Sequence, residues 1–269
     1  MREAVELLKI RFERSGVIEM RLLDGKVAII TGASSGIGQA MAMLFAAQGA
    51  SVVLVARRRA RLDATAENIR GKGGRAAVVA GDVTDEDLHA EAVSAAREGF
   101  GGLHIAVNNA GFVGEMKPLA EVEAGSWDQV LAVNLTAAFL GAKAQIPAMI
   151  EQGEGALVFT GSFVGNSVGL PGMAPYAAAK AGLMGLVRGI TADYAAQCIR
   201  ANALLPGGTA TEMAGNAEQR EWAAGLHALK RIAEPEEIAQ AALFLSSSMA
   251  SFVTGSALWA DGGNAAVKL

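Results

Sequence analysis

A chain of 269 residues has room for one large α/β domain with a sizeable buried core. Lys and Arg total 23 against 27 Asp and Glu, a net charge of -4 with no long basic stripe, which argues against a nucleic-acid partner. The single cysteine, Cys198, allows no intramolecular disulfide and anchors no metal cluster, and it fits a reducing cytoplasm.

With 52% hydrophobic residues, 5% aromatic residues and 33 glycines, the composition reads as small-aliphatic elements joined by tight turns. A mean hydropathy of +0.31 is high for a monomer, so apolar faces are expected between subunits. Residues 1–21 are charged and helix-prone without an uninterrupted apolar core. They read as an N-terminal extension, neither signal peptide nor membrane span, ahead of a catalytic domain over 22–269.

From Lys26 onward, strand and helix patterns alternate. Strands are predicted at 27–30, 51–55, 76–79, 104–107, 156–159, 200–205 and 257–259, and helices at 36–48, 62–70, 86–99, 127–150, 176–196 and 236–246. This repetition predicts an α/β fold: a doubly wound, seven-stranded parallel sheet with helices on both faces. Continuous apolar runs such as VAII and VVLV agree with strands buried on both sides. The later apolar stretches are broken by Asn134, Lys143 or Lys180, so no membrane-spanning segment is expected.

The first strand runs into TGASSGIG, where Gly32, Gly36 and Gly38 permit a tight turn, close approach of a pyrophosphate and helix–strand packing. The following helix N-terminus supplies free N–H groups and positive dipole. At the end of the second strand an acid would hold the 2′-hydroxyl of NAD. The chain has Ala56, then Arg57, Arg58 and Arg59, which favours the 2′-phosphate of NADP over NAD, with Arg57 the first contact.

Farther on, Asn134 is a lone amide in an apolar helical pattern, where it needs partners or a water. Ser162 follows a buried strand at the carboxyl end of the sheet, where its hydroxyl can orient a carbonyl. Tyr176 and Lys180 lie four residues apart on one helix face, and an ammonium beside a phenol is expected to lower its pKa. Residues 207–230 are helix-prone and are expected to form a substrate lid, with Phe163, Met173, Met213 and Trp222 lining an apolar pocket.

These residues together resemble the short-chain dehydrogenase/reductase family, in its shorter single-domain branch, with members such as 3-oxoacyl-(acyl-carrier-protein) reductases and glucose dehydrogenases. The matching motifs are TGASSGIG (31–38), NNAG (108–111), Asn134, Ser162, YAAAK (176–180), PGGTAT (206–211) and DGG (261–263), and the likeness runs from about Leu22 to the end. The resemblance implies that Tyr176 is the acid/base, that Lys180 lowers its pKa and holds the nicotinamide ribose, that Ser162 binds the substrate oxygen and that Asn134 holds a water.

It further implies cofactor contacts from Ser34, Ser35 and Ile37 in the glycine turn and from Asp82 and Val83 near the adenine. Asn109, Ala110 and Gly111 would line the ribose, and Pro206, Gly207, Thr209 and Thr211 would come from the sixth-strand loop. A homotetramer acting on a small carbonyl or alcohol follows by the same analogy. Two departures stand out: His104 replaces a common acid, and Gly161 replaces a common serine. A nucleotide-binding regulator without turnover is the alternative reading. It would be expected to lack Tyr176 or Lys180, and both are present. A sugar-nucleotide epimerase or dehydratase would need a larger C-terminal domain.

Overall fold

A computed structural model describes residues 21–267; residues 1–20, which hold nearly all of the expected N-terminal extension, lie outside the described residues. Seven parallel strands form one sheet in the order β3-β2-β1-β4-β5-β6-β7. They are β1 Val27–Thr31, β2 Ser51–Ala56, β3 Arg75–Ala80, β4 Ile105–Asn108, β5 Gly155–Thr160, β6 Ile199–Pro206 and β7 Ala257–Ala260. The expected doubly wound sheet is therefore present.

Side chains along a strand alternate between faces, and β1 shows the consequence. Val27 and Ile29 point into the core layer under α3 (Glu86–Phe100), α5 (Ala137–Gln152) and α6 (Ala174–Tyr194). Ala28 and Ile30 point into the layer under α1 (Gly36–Ala47), α2 (Arg59–Gly71) and α8 (Pro235–Ser246). Burial on both faces is what selects the unbroken aliphatic run VAIIT, in which no residue is exposed.

The strand order reverses between β1 and β4, so the chain ends leaving those strands diverge and open a crevice at their carboxyl edge. His104, one of the two departures, sits at the opposite edge, where its Nδ1 accepts from the Val27 N–H at 3.2 Å. It has no access to the crevice. Gly161 has a packing cause: a Cβ there would fall 2.5 Å from Leu205 Cδ2.

The single helix expected at 127–150 is longer and interrupted. α4 (Ala124–Leu131) passes through a π-turn at Ala132–Thr136 into α5, making 29 continuous helical residues. By length and composition alone this helix is apolar enough to cross a membrane, a test that the core helix of a globular fold also passes. Its buried face, including Ala138, Ala142, Ile146 and Met149, packs into the sheet's core layer.

Candidate active site

β1 ends at Thr31, and its hydroxyl accepts from the N–H groups of Asn109 (2.9 Å) and Ala110 (3.0 Å) beyond β4. Asn109 Nδ2 returns a bond to the Thr31 carbonyl at 3.1 Å. The ends of β1 and β4 are thereby tied at the switch point. Gly32 (φ +70°) and Gly36 (φ +54°) turn the chain in the left-handed region that favours glycine. A Cβ on Gly38 would lie 2.4 Å from the Gly32 carbonyl oxygen, so α1 can press on the turn only through glycine.

The α1 N-cap, Ser35, makes no side-chain cap bond, and the first turn holds no acid. Its first N–H groups and positive dipole end stay available to an anion, which fits a dinucleotide pyrophosphate. Ile37 packs against the α1/α2/α8 core layer.

At the end of β2 the two arginines separate. Arg57, the expected contact, has a side chain 77% exposed and reaches only Asp82, at 3.9 Å. Arg58 instead lies over the glycine turn, with Nη2 bonding Ser34 Oγ (3.1 Å) and Ser35 Oγ (2.6 Å) and Nε bonding Ser34 Oγ at 3.3 Å. Asp82 accepts from the Thr84 N–H (3.0 Å) and hydroxyl (2.9 Å); these bonds, chiefly the backbone one, hold its carboxyl below the usual range with help from Arg57. Val83 is buried in the α3/α5/α6 core layer, and its carbonyl bonds the ring of His89 at 2.8 Å.

The acid/base candidates gather at the other side of the crevice. Tyr176 and Lys180 stand one turn apart on α6, and Ser162 lies just past β5; all three are buried. The Ser162 oxygen accepts from the Val164 N–H at 3.1 Å, so its own proton remains free to donate. Lys180 Nζ donates to the Thr160 carbonyl at 2.7 Å and lies 5.7 Å from the Tyr176 ring centroid.

That geometry corrects the expected lowering of the tyrosine pKa. Burial pushes the phenol up and Ser162 offsets part of the rise, while the Lys180 ammonium is turned to the Thr160 carbonyl. Burial also brings Lys180 itself down from 10.5 to about 8. The unfolded chain then binds more protons than the folded one above pH 8, so this lysine makes stability rise with pH up to about 10.5. We expect denaturant unfolding to show wild type gaining about 1.5 kcal/mol on Lys180→Met between roughly pH 8 and 9.5. A pH-independent difference would contradict the assignment.

Asn134 occupies the π-turn, a geometry common where a helix is locally reshaped at a site. Its Oδ1 accepts from the Phe112 N–H (3.1 Å), and Nδ2 donates to the carbonyls of Phe112 (2.7 Å) and Val130 (2.9 Å). Both amide hydrogens are used, so the side chain fastens the loop after β4 rather than offering a donor to a water. Gly111 is where the groups converge: a Cβ there would meet Asn134 Oδ1 at 2.9 Å and Lys180 Nζ at 3.2 Å.

Around Tyr176 an apolar cluster forms from Val130, Phe163 and Val164, with Phe112, Met173 and Leu226 packed against it. Phe163 and Met173 line the site as expected. Met213 and Trp222 are each 55% exposed and stay outside that cluster. The segment from Gly207 carries a short turn at Glu212–Ala214 and helix α7 (Ala217–Gly225) before rejoining the fold through a bridge between Thr209 and Ala233. Pro206 ends β6, the Thr209 hydroxyl donates to the Gly207 carbonyl at 3.1 Å, and Thr211 packs against the glycine turn, 2.9 Å from where a Cβ on Gly36 would stand.

Two residues the sequence did not single out matter here. Asn166 Nδ2 donates to the Ser162 carbonyl at 2.9 Å, and it steadies the serine. Buried His227 accepts the Gly208 N–H at 3.0 Å and packs edge-on against Phe163, joining the expected lid to the loop after β5. His227 carries no sequence signal, because it acts through Gly208, 19 residues away in the chain.

A parallel doubly wound sheet with a glycine turn at its switch point and a buried Ser, Tyr and Lys at the same edge defines a dinucleotide-linked oxidoreductase site. The family model described as enoyl-(acyl carrier protein) reductase matches residues 32–265. The A-factor type gamma-butyrolactone 1′-reductase (1S-forming) of Streptomyces virginiae is 40% identical over 90% of this chain and 96% of its own. The cyclohexanol dehydrogenase of Acinetobacter sp. (strain SE19) is 39% identical over 89% and 94%. A short-chain type dehydrogenase/reductase from Mycobacterium marinum, a solved structure, superposes with a TM-score of 0.88 at 32% identity, covering 93% of this chain and 99% of that one. The chain belongs to the short-chain dehydrogenase/reductase family, whose members are nicotinamide-dependent oxidoreductases.

Proposed function

We propose that this protein is an NADP-preferring reductase of small, largely apolar ketones, working reversibly on the matching secondary alcohols, with Tyr176 as acid/base. One observation carries the reading: a buried phenol, Tyr176, gathered with buried Ser162 and Lys180 beside an apolar cluster at the sheet's switch edge. That one relative is named for cyclohexanol supports an alicyclic substrate.

The nicotinamide, when bound, supplies the hydride. Ser162 donates its free hydroxyl hydrogen to the substrate oxygen, and Tyr176 passes its proton to that oxygen as negative charge develops there. A phenol pushed upward by burial keeps its proton at neutral pH, which suits reduction. Oxidation would need the phenolate and so a more alkaline medium. Lys180, with one donor on Thr160, has others left for a ribose hydroxyl and supplies positive charge when a phenolate forms.

Asn134 acts as a positioning residue for the loop that carries Gly111, and 207–230 acts as the lid. A homotetramer in a reducing cytoplasm completes the reading. It is supported by the exposed apolar side chains of Phe139, Phe252 and, on the edge strand, Trp259, and by unpaired Cys198.

Titration with NADPH and NADH, followed by cofactor fluorescence, tests the cofactor preference. NADPH is expected to bind at least tenfold tighter. Arg58→Ala and Arg57→Ala should each weaken NADPH by roughly 5- to 50-fold, from the worth of a charge-assisted bond to phosphate, and leave NADH within about twofold. Equal loss for both cofactors would mean that these arginines do not read a phosphate.

A further inference from the structure

The lid carries a carboxylate into the arginine cluster beside the glycine turn. Glu212 Oε2 accepts from Arg58 Nη1 at 3.0 Å, and its Oε1 pairs with Arg61. These contacts span 154 and 151 residues of chain, so folding alone brings the groups together. Arg58 is thus held between two sets of partners, the Ser34 and Ser35 hydroxyls on one side and Glu212 on the other. Both guanidiniums keep the Glu212 carboxyl below its ordinary range, so it is ionised at neutral pH. Thr211, next to it, packs on Gly36, which sets the lid's first turn directly against the phosphate turn.

Resting on the reading of Arg58 as a phosphate contact, we infer that Glu212 is a specificity-determining residue that competes with the cofactor's 2′-phosphate for Arg58 and Arg61. Its single negative charge, spread over two oxygens, satisfies the donors that a phosphate ester of nearly two charges would take. NAD offers only a neutral hydroxyl at that position and gains nothing by displacing a carboxylate. Glu212 therefore lowers affinity for NADP selectively. Displacing it frees the 212–214 turn, so lid mobility responds to the 2′-phosphate and not to the rest of the dinucleotide. The pairs are half-exposed, which keeps the competition small enough for the cofactor to win.

The test compares wild type, Glu212→Gln and Arg58→Ala in equilibrium titrations with NADPH and NADH. Alongside these, trypsin cleavage within the lid, at Arg220 and Lys230, is timed with each cofactor at saturation. Glu212→Gln is expected to tighten NADPH about 3- to 10-fold, from two exposed ion pairs, and to leave NADH within about twofold. The gain should shrink as salt is added. In wild type, lid cleavage should differ between NADPH and NADH, and in Glu212→Gln that difference should largely vanish. If NADPH affinity is unchanged or weaker in Glu212→Gln while Arg58→Ala still loses NADPH, the competition is overturned and the phosphate reading stands. If Arg58→Ala binds NADPH as wild type does, the cofactor reading itself has failed.

Discussion

Tyr176→Phe is expected to cut kcat for ketone reduction about 10³-fold while leaving the Kd for NADPH within about twofold. The substitution removes one hydroxyl from a buried side chain, the group proposed to deliver the proton. General acid catalysis by a positioned group contributes roughly 10²- to 10⁴-fold, and the neighbouring Lys180 ammonium is already turned to the Thr160 carbonyl. Replacing a buried hydroxyl by hydrogen leaves the packing shape intact, and the ring is not part of the glycine turn, so folding and cofactor affinity are spared. Steady-state kinetics with a parallel NADPH titration reads both quantities. A variant retaining more than a tenth of wild-type kcat would mean that another group delivers the proton.

Gly38→Ala should be strongly damaging for a single added methyl. A Cβ at Gly38 would stand 2.4 Å from the Gly32 carbonyl oxygen, 2.6 Å from Asn109 Nδ2 and 2.8 Å from the Gly32 carbonyl carbon. The first and last of these are backbone, which cannot swing aside, so α1 must lift away from the turn. Overpacking of this kind costs about 1–3 kcal/mol, and in a chain of this size each kcal/mol lowers Tm by roughly 2–4 °C. NADPH affinity should fall more than tenfold, because the helix N-terminus is displaced from the anion it faces. Gly189→Ala in α6 is the control: it is exposed, nothing lies within 4 Å of its Cβ position, and it should gain about 0.5–1 kcal/mol. Differential scanning calorimetry of the two variants should move Tm in opposite directions. Equal small shifts would contradict the close packing at Gly38.

The glycine turn and the parallel sheet were legible in the sequence because their causes are local. A left-handed turn demands glycine wherever it occurs, and a strand buried on both faces must be continuously aliphatic. Which arginine leans over the turn was not legible. Arg57 and Arg58 are neighbours leaving the same strand, and only the fold's placement of Ser34, Ser35 and Glu212 decides that Arg58 turns inward.

The π-turn at Ala132–Thr136 escaped for a related reason: the distortion is paid for by bonds from Asn134 to Phe112, 22 residues away. The Tyr176–Lys180 spacing correctly puts both groups on one helix face. The direction of the ammonium was settled instead by the Thr160 carbonyl at the end of β5. Helical spacing likewise proposed Met213 and Trp222 as pocket walls, whereas the cluster recruits Leu226 and Phe112.

The most direct test of the account is hydride transfer itself. Purified protein is mixed with NADPH deuterated at nicotinamide C4 and with cyclohexanone, and the alcohol is analysed by mass spectrometry. The account predicts one deuterium on the carbinol carbon, formed by wild type and lost with Tyr176→Phe. NADPH that binds tightly yet passes no deuterium to cyclohexanone or to any ketone of a broader alicyclic and 3-oxo panel would contradict it and favour a binding protein without turnover.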